Sequence, residues 1–280
     1  MRVLVFDSGI GGLGIVGALR QTLPEATIGF VADNAAFPYG EKPDDWLVER
    51  IGAVIGAAIE RLRPDLAVIA CNTASTLALG ALRARFDLPF VGVVPPIKWA
   101  AAESRSRVIG LLATAATVRR GYLADLQSAY APDCTLIAHG ARGLADLAEQ
   151  RFRTGLDLPP DPGLLDAIRT ELHQLFARPD GARVDVVAIG CTHYTFLLDA
   201  LAEAAPQCGA GGPILWLDPA GPVARHAARL AEDLVKGAEA QVADLALFTG
   251  PVPDSRTVGL ARFGFDGVGM LDVAMAHWPA

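Results

Sequence analysis

Two cysteines occupy matching settings along this chain. Cys71 opens Cys-Asn-Thr-Ala-Ser after the apolar run 66–70, and Cys191 opens Cys-Thr-His-Tyr after the apolar run 186–190. Each reads as a thiol at the carboxyl end of a buried strand, in the turn that starts a helix. Ligands of open α/β sheets bind at that edge. Two thiols placed this way could flank one substrate, one removing a proton and the other returning it. That is the chemistry of a racemase that needs no cofactor. An amino-acid α-proton is weakly acidic, so its removal without an electron sink needs a base close by, donors for the carboxylate and ammonium, and an acid on the opposite face. A thiolate is accessible near neutral pH, and a helix N-terminus or a proton-accepting neighbour favours it.

The flanking residues fit this chemistry. Asn72, Thr73 and Thr192 supply side-chain and backbone donors at the two helix starts. His193 can serve as proton partner for Cys191, and Asp7, at the end of the first strand, for Cys71. Free cysteine also packs as a small hydrophobe, and Cys134, inside the apolar run 134–138, reads that way. Cys208 lies in a Gly-rich loop and has no evident partner. A metal is not expected, because Cys191-Thr-His193 offers two soft ligands and no matching pair lies elsewhere. His139, His173, His226 and His277 read as surface residues or as satisfied strand ends.

The loop after the first strand offers a competing chemistry. Gly9, Gly11 and Gly14 satisfy Gly-x-Gly-x-x-Gly, and Asp33 ends the second strand at the distance of a ribose-binding acid. Three features oppose a dinucleotide. Asp7 and Ser8 put a carboxylate where the pyrophosphate would approach a helix N-terminus. Asp33 leads into a long turn with polar and aromatic groups of its own, and a dehydrogenase would leave both cysteines without roles. The glycines instead let backbone N–H groups approach an anionic group, and a substrate carboxylate suits such a loop.

The elements that must position these residues alternate. Strand-like runs at 2–6, 27–32, 66–70, 90–94, 107–112, 134–138, 184–189 and 214–217 are separated by helical patterns at 13–22, 44–62, 74–85, 115–129, 162–177, 194–205 and 219–235. Continuous apolar strands between helices predict parallel sheets covered on both faces. Val94-Pro95-Pro96 and the stretch 208–213 read as crossovers. They predict an α/β fold of two doubly wound domains with mostly parallel sheets facing a shared active-site cleft. The first domain takes 1–97 plus 213–280, with Asp7 and Cys71; the second takes 98–212, with Cys191 and His193. The segment 153–162 reads as a surface loop, and 245–248 as one more strand.

Composition narrows the class. The 280 residues are 52% hydrophobic and 20% charged, enough apolar content for a sizeable core in one large or two ordinary domains. A net charge of −7 with no basic run speaks against nucleic acid as a partner. Mean hydropathy is positive, yet no apolar stretch approaches the ~20 residues of a membrane-spanning helix. The chain opens on a strand-like run without the layout of a signal peptide. Four cysteines without Cys-x-x-Cys spacing fit a reducing, cytoplasmic compartment.

Taken together the motifs resemble those of the glutamate racemases, within the cofactor-independent aspartate/glutamate racemase superfamily. The residues that carry the resemblance are Phe6-Asp-Ser-Gly-Ile-Gly-Gly-Leu13, Ala32-Asp-Asn-Ala-Ala-Phe-Pro-Tyr-Gly40, Ala70-Cys-Asn-Thr-Ala-Ser75, Leu112-Ala-Thr-Ala-Ala-Thr-Val118 and Gly190-Cys-Thr-His-Tyr194, in the family's order. The resemblance implies reversible interconversion of L- and D-glutamate without a cofactor, supplying D-glutamate for peptidoglycan, in a homodimer of two-domain subunits. It implies that Cys71 is the base acting on D-glutamate and Cys191 the base acting on L-glutamate, with Asp7 and His193 assisting. It further implies that Ser8, Tyr39, Gly40, Asn72, Thr73 and Thr192 bind substrate, with Thr114 and Thr117 near the cleft. Glu149 is the counterpart of a family glutamate, although Ala138-His-Gly-Ala-Arg-Gly-Leu144 departs from the usual Cys-Pro pattern. Thr195 also stands where proline is common. The nearest alternative is an aspartate or hydantoin racemase. A non-catalytic binding protein would be expected to lack one of the two cysteines, and both are present.

Overall fold

The structure, a computed structural model, describes residues 1–119, 121–141, 143–234, 243–252, 259–265 and 267–273. It divides into two compact units, Met1–Val93 with Ala220–Ala280, and Val94–Pro219.

The first unit begins β1 (Arg2–Asp7), α1 (Leu13–Thr22), β2 (Thr27–Ala32), α2 (Asp44–Leu62), β3 (Leu66–Ile69), α3 (Asn72–Arg85) and β4 (Phe90–Gly92). The second unit holds α4 (Ile97–Glu103), β5 (Val108–Ala113), α5 (Ala115–Arg119), α6 (Tyr122–Tyr130), β6 (Thr135–Gly140), α7 (Leu144–Thr154), α8 (Pro162–Phe176), β7 (Val186–Gly190), α9 (Leu198–Ala204) and β8 (Leu215–Leu217). The chain then returns to the first unit with α10 (Ala220–Glu232), β9 (Leu245–Phe248) and β10 (Gly267–Met270).

Strand order is β10-β9-β2-β1-β3-β4 in the first sheet and β6-β5-β7-β8 in the second. Every described pairing is parallel. The central strands are apolar without alternation because both faces are covered: β3 and β5 are buried at every residue, and β1 at all but its first. Edge strands alternate or are short, as in β6, whose burial switches from residue to residue. One core cluster packs α2 and α3 against the first sheet through Leu47, Ile51, Val54, Leu82 and Ile69. Another packs α4 and α6 against the second through Ile97, Leu123, Ile109 and Val186, and Cys134 belongs to it.

Several elements differ from the sequence expectation. The run at 214–217 forms β8 and pairs with β7, Trp216 opposite Val187, so the chain re-enters the first unit at Ala220 rather than at 213. The helix expected at 115–129 is two helices, α5 and α6, with Gly121 capping the second. The helix expected at 194–205 begins as a 3₁₀ segment, Thr192–Leu197, and becomes α-helical only in α9. α4, α7 and β10 were not anticipated. α4 is short and directly follows the prolines, β10 is a Gly-containing edge strand, and in α7 charged and polar residues together outnumber apolar ones. α7 nonetheless runs from Gly143 to Gly155, both at positive φ, and buries Leu144, Ala148 and Phe152 at helical spacing.

Candidate active site

In the first unit the register of the sheet assembles one group of residues. Phe6 pairs with Ile69 and Asp7 with Ala32, so Asp7, Asp33 and Cys71 emerge side by side at the carboxyl edges of β1, β2 and β3. Cys71 caps α3 in extended conformation and is buried. Ser8 Oγ lies 3.4 Å from Asp7 Oδ1 and 3.8 Å from Cys71 Sγ, so the hydroxyl stands between carboxylate and thiol. Asp7 is fully buried, and its Oδ1 also accepts the N–H of Gly9 at 2.9 Å.

That last bond changes the role expected for the glycine loop. The Gly9 N–H is engaged by Asp7, and Gly12 serves packing instead. A Cβ on Gly12 would lie 3.0 Å from the Cβ atoms of both Ala70 and Asp7, so only glycine lets α1 start this close to β1 and β3.

Asn72 and Thr73 form the first turn of α3 and are both buried. Neither amide atom of Asn72 has a hydrogen-bond partner among the described residues. Buried side-chain amides are otherwise almost always bonded, which sets this one apart.

Asp33 is spoken for. Its two oxygens accept Arg50 Nε at 3.0 Å and Nη2 at 2.7 Å, the Tyr39 hydroxyl at 2.7 Å and the Thr249 hydroxyl at 2.6 Å. A carboxylate so saturated has no capacity for a ribose. Burial, and then the charge of Asp33, push the Tyr39 hydroxyl well above its ordinary value, so it stays protonated as a donor. That hydroxyl is committed to Asp33, and Gly40 beside it is half-buried.

In the second unit, Ala113 pairs with both Gly140 and Gly190, which sets Thr114, Ala141 and Cys191 next to one another beyond β5, β6 and β7. Cys191 is buried and precedes the 3₁₀ segment that carries Thr192 and His193, both buried. His193 Nε2 lies 3.1 Å from Glu149 Oε1 on α7, and each side chain is 3% exposed. Tyr194 donates its hydroxyl toward the carbonyls of Ala113 and Ala141 at 3.3 and 3.1 Å, tying the segment to the strand ends. Thr114 Oγ1 lies 3.0 Å from Thr117 Oγ1 and accepts the Thr117 N–H, so the pair caps α5.

The remaining titratable groups are accounted for locally. His139 is buried in β6 with its Nε2 on Glu171 of α8, a satisfied strand residue. His173 and His226 are exposed, and His277 lies outside the described residues. Cys208, expected to lack a partner, points its thiol at the Ala204 carbonyl 3.2 Å away, and burial raises its pKa, as it does for Cys134. Among the described residues no group of three or more His, Cys, Asp or Glu is arranged to hold a metal ion, and no helix is long and apolar enough to cross a membrane. Sequence reasoning missed Arg50. Its signal was a charge on the apolar face of α2, in the stripe Leu47, Arg50, Ile51, Val54, Ile55.

Two parallel α/β units, each ending a central strand in a buried cysteine beside ionisable groups, define a class of thiol-bearing α/β enzymes. Residues 14–227 match the model of the Asp/Glu/Hydantoin racemase family. The chain belongs to that family and is a racemase, an isomerase. It is 50% identical over 284 aligned positions to a glutamate racemase of Granulibacter bethesdensis, covering 98% of each chain. It is 43% identical over 274 positions to a glutamate racemase of Sodalis glossinidius, covering 96% of this chain and 90% of the relative. Among solved structures, Escherichia coli glutamate racemase in complex with L-glutamate and the activator UDP-MurNAc-Ala superposes with a TM-score of 0.87. The identity there is 37%, over 98% of this chain and 99% of the other.

Proposed function

We propose that this protein is a glutamate racemase that interconverts L- and D-glutamate by transferring the α-proton between two thiols, without a cofactor. The observation that carries the proposal is the repeated arrangement of a buried thiol at a strand's carboxyl end with a buried acid nearby. Asp7 stands beside Cys71 through Ser8, and Glu149 holds the His193 that follows Cys191. The choice of glutamate rests on full-length similarity to proteins named glutamate racemase.

In the L-to-D direction the Cys191 thiolate takes the α-proton and the Cys71 thiol delivers one to the opposite face. One C–H bond at the α-carbon breaks and one forms on the opposite face, the α-carbon inverts, and no electrons leave the substrate. The protein finishes with Cys191 protonated and Cys71 as thiolate, the state that starts the reverse reaction. Resetting it requires each thiol to exchange its proton, and this is the work assigned to Asp7 with Ser8 and to His193 with Glu149.

Asn72, Thr73 and Thr192, with the first-turn N–H groups at the two helix starts, bind the substrate's polar groups. The unsatisfied amide of Asn72 supports that assignment. Ser8 and the backbone of Tyr39 and Gly40 complete the binding set in the first unit, and Thr114 with Thr117 in the second. The product D-glutamate serves peptidoglycan synthesis, and the protein works in the cytoplasm as a homodimer, with neither nucleic acid nor membrane as a partner.

The deciding measurement is circular dichroism of the purified protein with L-glutamate and then D-glutamate in deuterated buffer without added cofactor, followed by proton NMR at the α-carbon. Decay from both enantiomers with deuterium appearing at the α-position is expected. Silence with glutamate but decay with aspartate would reassign the substrate within the family. Silence with every amino acid would overturn catalysis.

A further inference from the structure

The 3₁₀ segment Thr192–Leu197 is six residues long, longer than such helices usually persist on their own hydrogen bonds. It directly follows Cys191 and carries His193, so whatever holds it also sets the geometry of that turn. Tyr194 anchors its first half to the strand ends. Its second half is held from α7. Phe152 packs on Phe196 with ring centroids 5.9 Å apart. Arg151 is buried, donates Nη1 to the Phe196 carbonyl at 2.8 Å, and places both terminal nitrogens on the two oxygens of Asp199. Asp199 lies in the first turn of α9, where a carboxylate also suits the helix dipole.

α7 therefore grips the 192–199 stretch with three residues: Glu149 on His193, Phe152 on Phe196, and Arg151 on Phe196 and Asp199. The Asp199 side chain is 59% exposed, so the ion pair contributes little as a surface salt bridge. The fork of the guanidinium fixes geometry instead, because one planar group binds a main-chain carbonyl and a carboxylate in set directions.

We propose that Arg151 is a positioning residue for proton transfer at Cys191, holding the 3₁₀ segment in the register with α7 that keeps His193 on Glu149. The inference rests on the two-thiol mechanism proposed above. Nothing in that mechanism requires Arg151, whose guanidinium bonds Phe196, Leu158 and Asp199 among the described residues.

The test is Arg151→Met, with Arg151→Lys and Asp199→Asn alongside. The kinetic readout is kcat and KM for both enantiomers and the α-deuterium isotope effect on kcat/KM in each direction. L- and D-glutamate are equal in free energy, so kcat/KM must fall equally for both, and only the isotope effects separate the two thiols. Slower transfer at Cys191 raises the effect for α-deuterated L-glutamate, whose deuteron Cys191 removes. It lowers the effect for α-deuterated D-glutamate, where delivery of a solvent proton from Cys191 becomes limiting.

We expect kcat to fall roughly 10- to 100-fold in Arg151→Met, the range for small misplacements of a reacting group. KM should be little changed, and the isotope effects should split in this sense. Asp199→Asn, which keeps the bond to Phe196, and Arg151→Lys should show the same split at smaller size. Wild-type kinetics, or a loss with unsplit isotope effects, would overturn the proposal. Should Arg151→Met not fold, the same criterion applies to Asp199→Asn. The His193 ring resonances, assigned by comparison with His193→Gln, give a readout independent of substrate. They should move in Arg151→Met, and their staying put would overturn the positioning role even if glutamate is not the substrate. Wild-type silence on glutamate would instead count against the proposed function.

Discussion

The guanidinium of Arg50 covers both oxygens of Asp33 while the two side chains are 2% and 0% exposed. Burial works against the charge on Arg50, but hydrogen bonding and attraction to Asp33 outweigh it and leave Arg50 above its ordinary value. Removing one partner strands the other as a buried charge, which costs about 3–5 kcal/mol, more than the pair itself contributes. Arg50→Met should therefore lower the unfolding free energy read from urea titration by an amount in that range, and Arg50→Lys should recover only part, since one ammonium cannot serve both oxygens. The same carboxylate holds the Tyr39 hydroxyl, so residual activity should show a raised KM as the 39–41 turn loosens. A stability unchanged from wild type would refute this account of the pair.

Cys71 and Cys191 are buried, and each is small enough for alanine to take its place with little strain. Either Cys→Ala variant should keep the wild-type far-UV spectrum and cooperative unfolding, yet lose racemisation by at least the ~100- to 10,000-fold ascribed to a general acid or base. Near-normal turnover in either variant would end the two-thiol mechanism. Cys134→Ala and Cys208→Ala serve as controls and should remain active.

Asn72 combines burial with an amide that has no partner among the described residues. Such a group destabilises the fold, and leucine keeps the same branched outline and heavy-atom number with a better helix propensity at the start of α3. Asn72→Leu is expected to raise stability by about 1 kcal/mol while raising KM for glutamate in both directions. Thermal unfolding and steady-state kinetics on the same preparation check the two halves. A destabilised variant would show that the amide has a structural partner.

The conflict at Asn72 also shows how much a sequence can reveal. The central strands were legible because parallel strands buried on both faces must be continuously apolar, and each cysteine ends such a run. The contacts that give the cysteines their setting were not. Ser8 and Cys71 are 63 residues apart, and only the β1–β3 register brings them together. Glu149 entered through family resemblance. Its helix is hard to read because charged and polar residues together outnumber apolar ones in Leu144–Thr154, although the buried stripe Leu144, Ala148, Phe152 is present. Arg50 and Arg151 share a reason for being missed. Arginine reads as surface by default, and its burial becomes visible only when a carboxylate or carbonyl arrives from another element.

Asp185 is the place where acid should be felt. It immediately precedes β7 and accepts the Ser104 hydroxyl at 2.7 Å and the N–H groups of Arg105 and Ser106 at 2.8 Å each. Burial alone would raise its pKa, but these three donors outweigh it and hold the carboxyl below the ordinary aspartate value. A depressed folded-state pKa means that the stabilisation is complete above the unfolded value of about 4 and is lost as pH falls through the folded one. Asp185→Asn should be less stable than wild type at neutral pH, because an amide accepts these bonds without a charge. The gap should narrow on acidification below about pH 4. Urea midpoints of the two proteins from neutral pH downward test this, and a gap independent of pH would refute it. Asp185 and Cys191 flank opposite ends of β7, separated by about 3.3 Å per strand residue. Turnover by Asp185→Asn at neutral pH should therefore match wild type, which separates acid sensitivity of the fold from acid sensitivity of the chemistry.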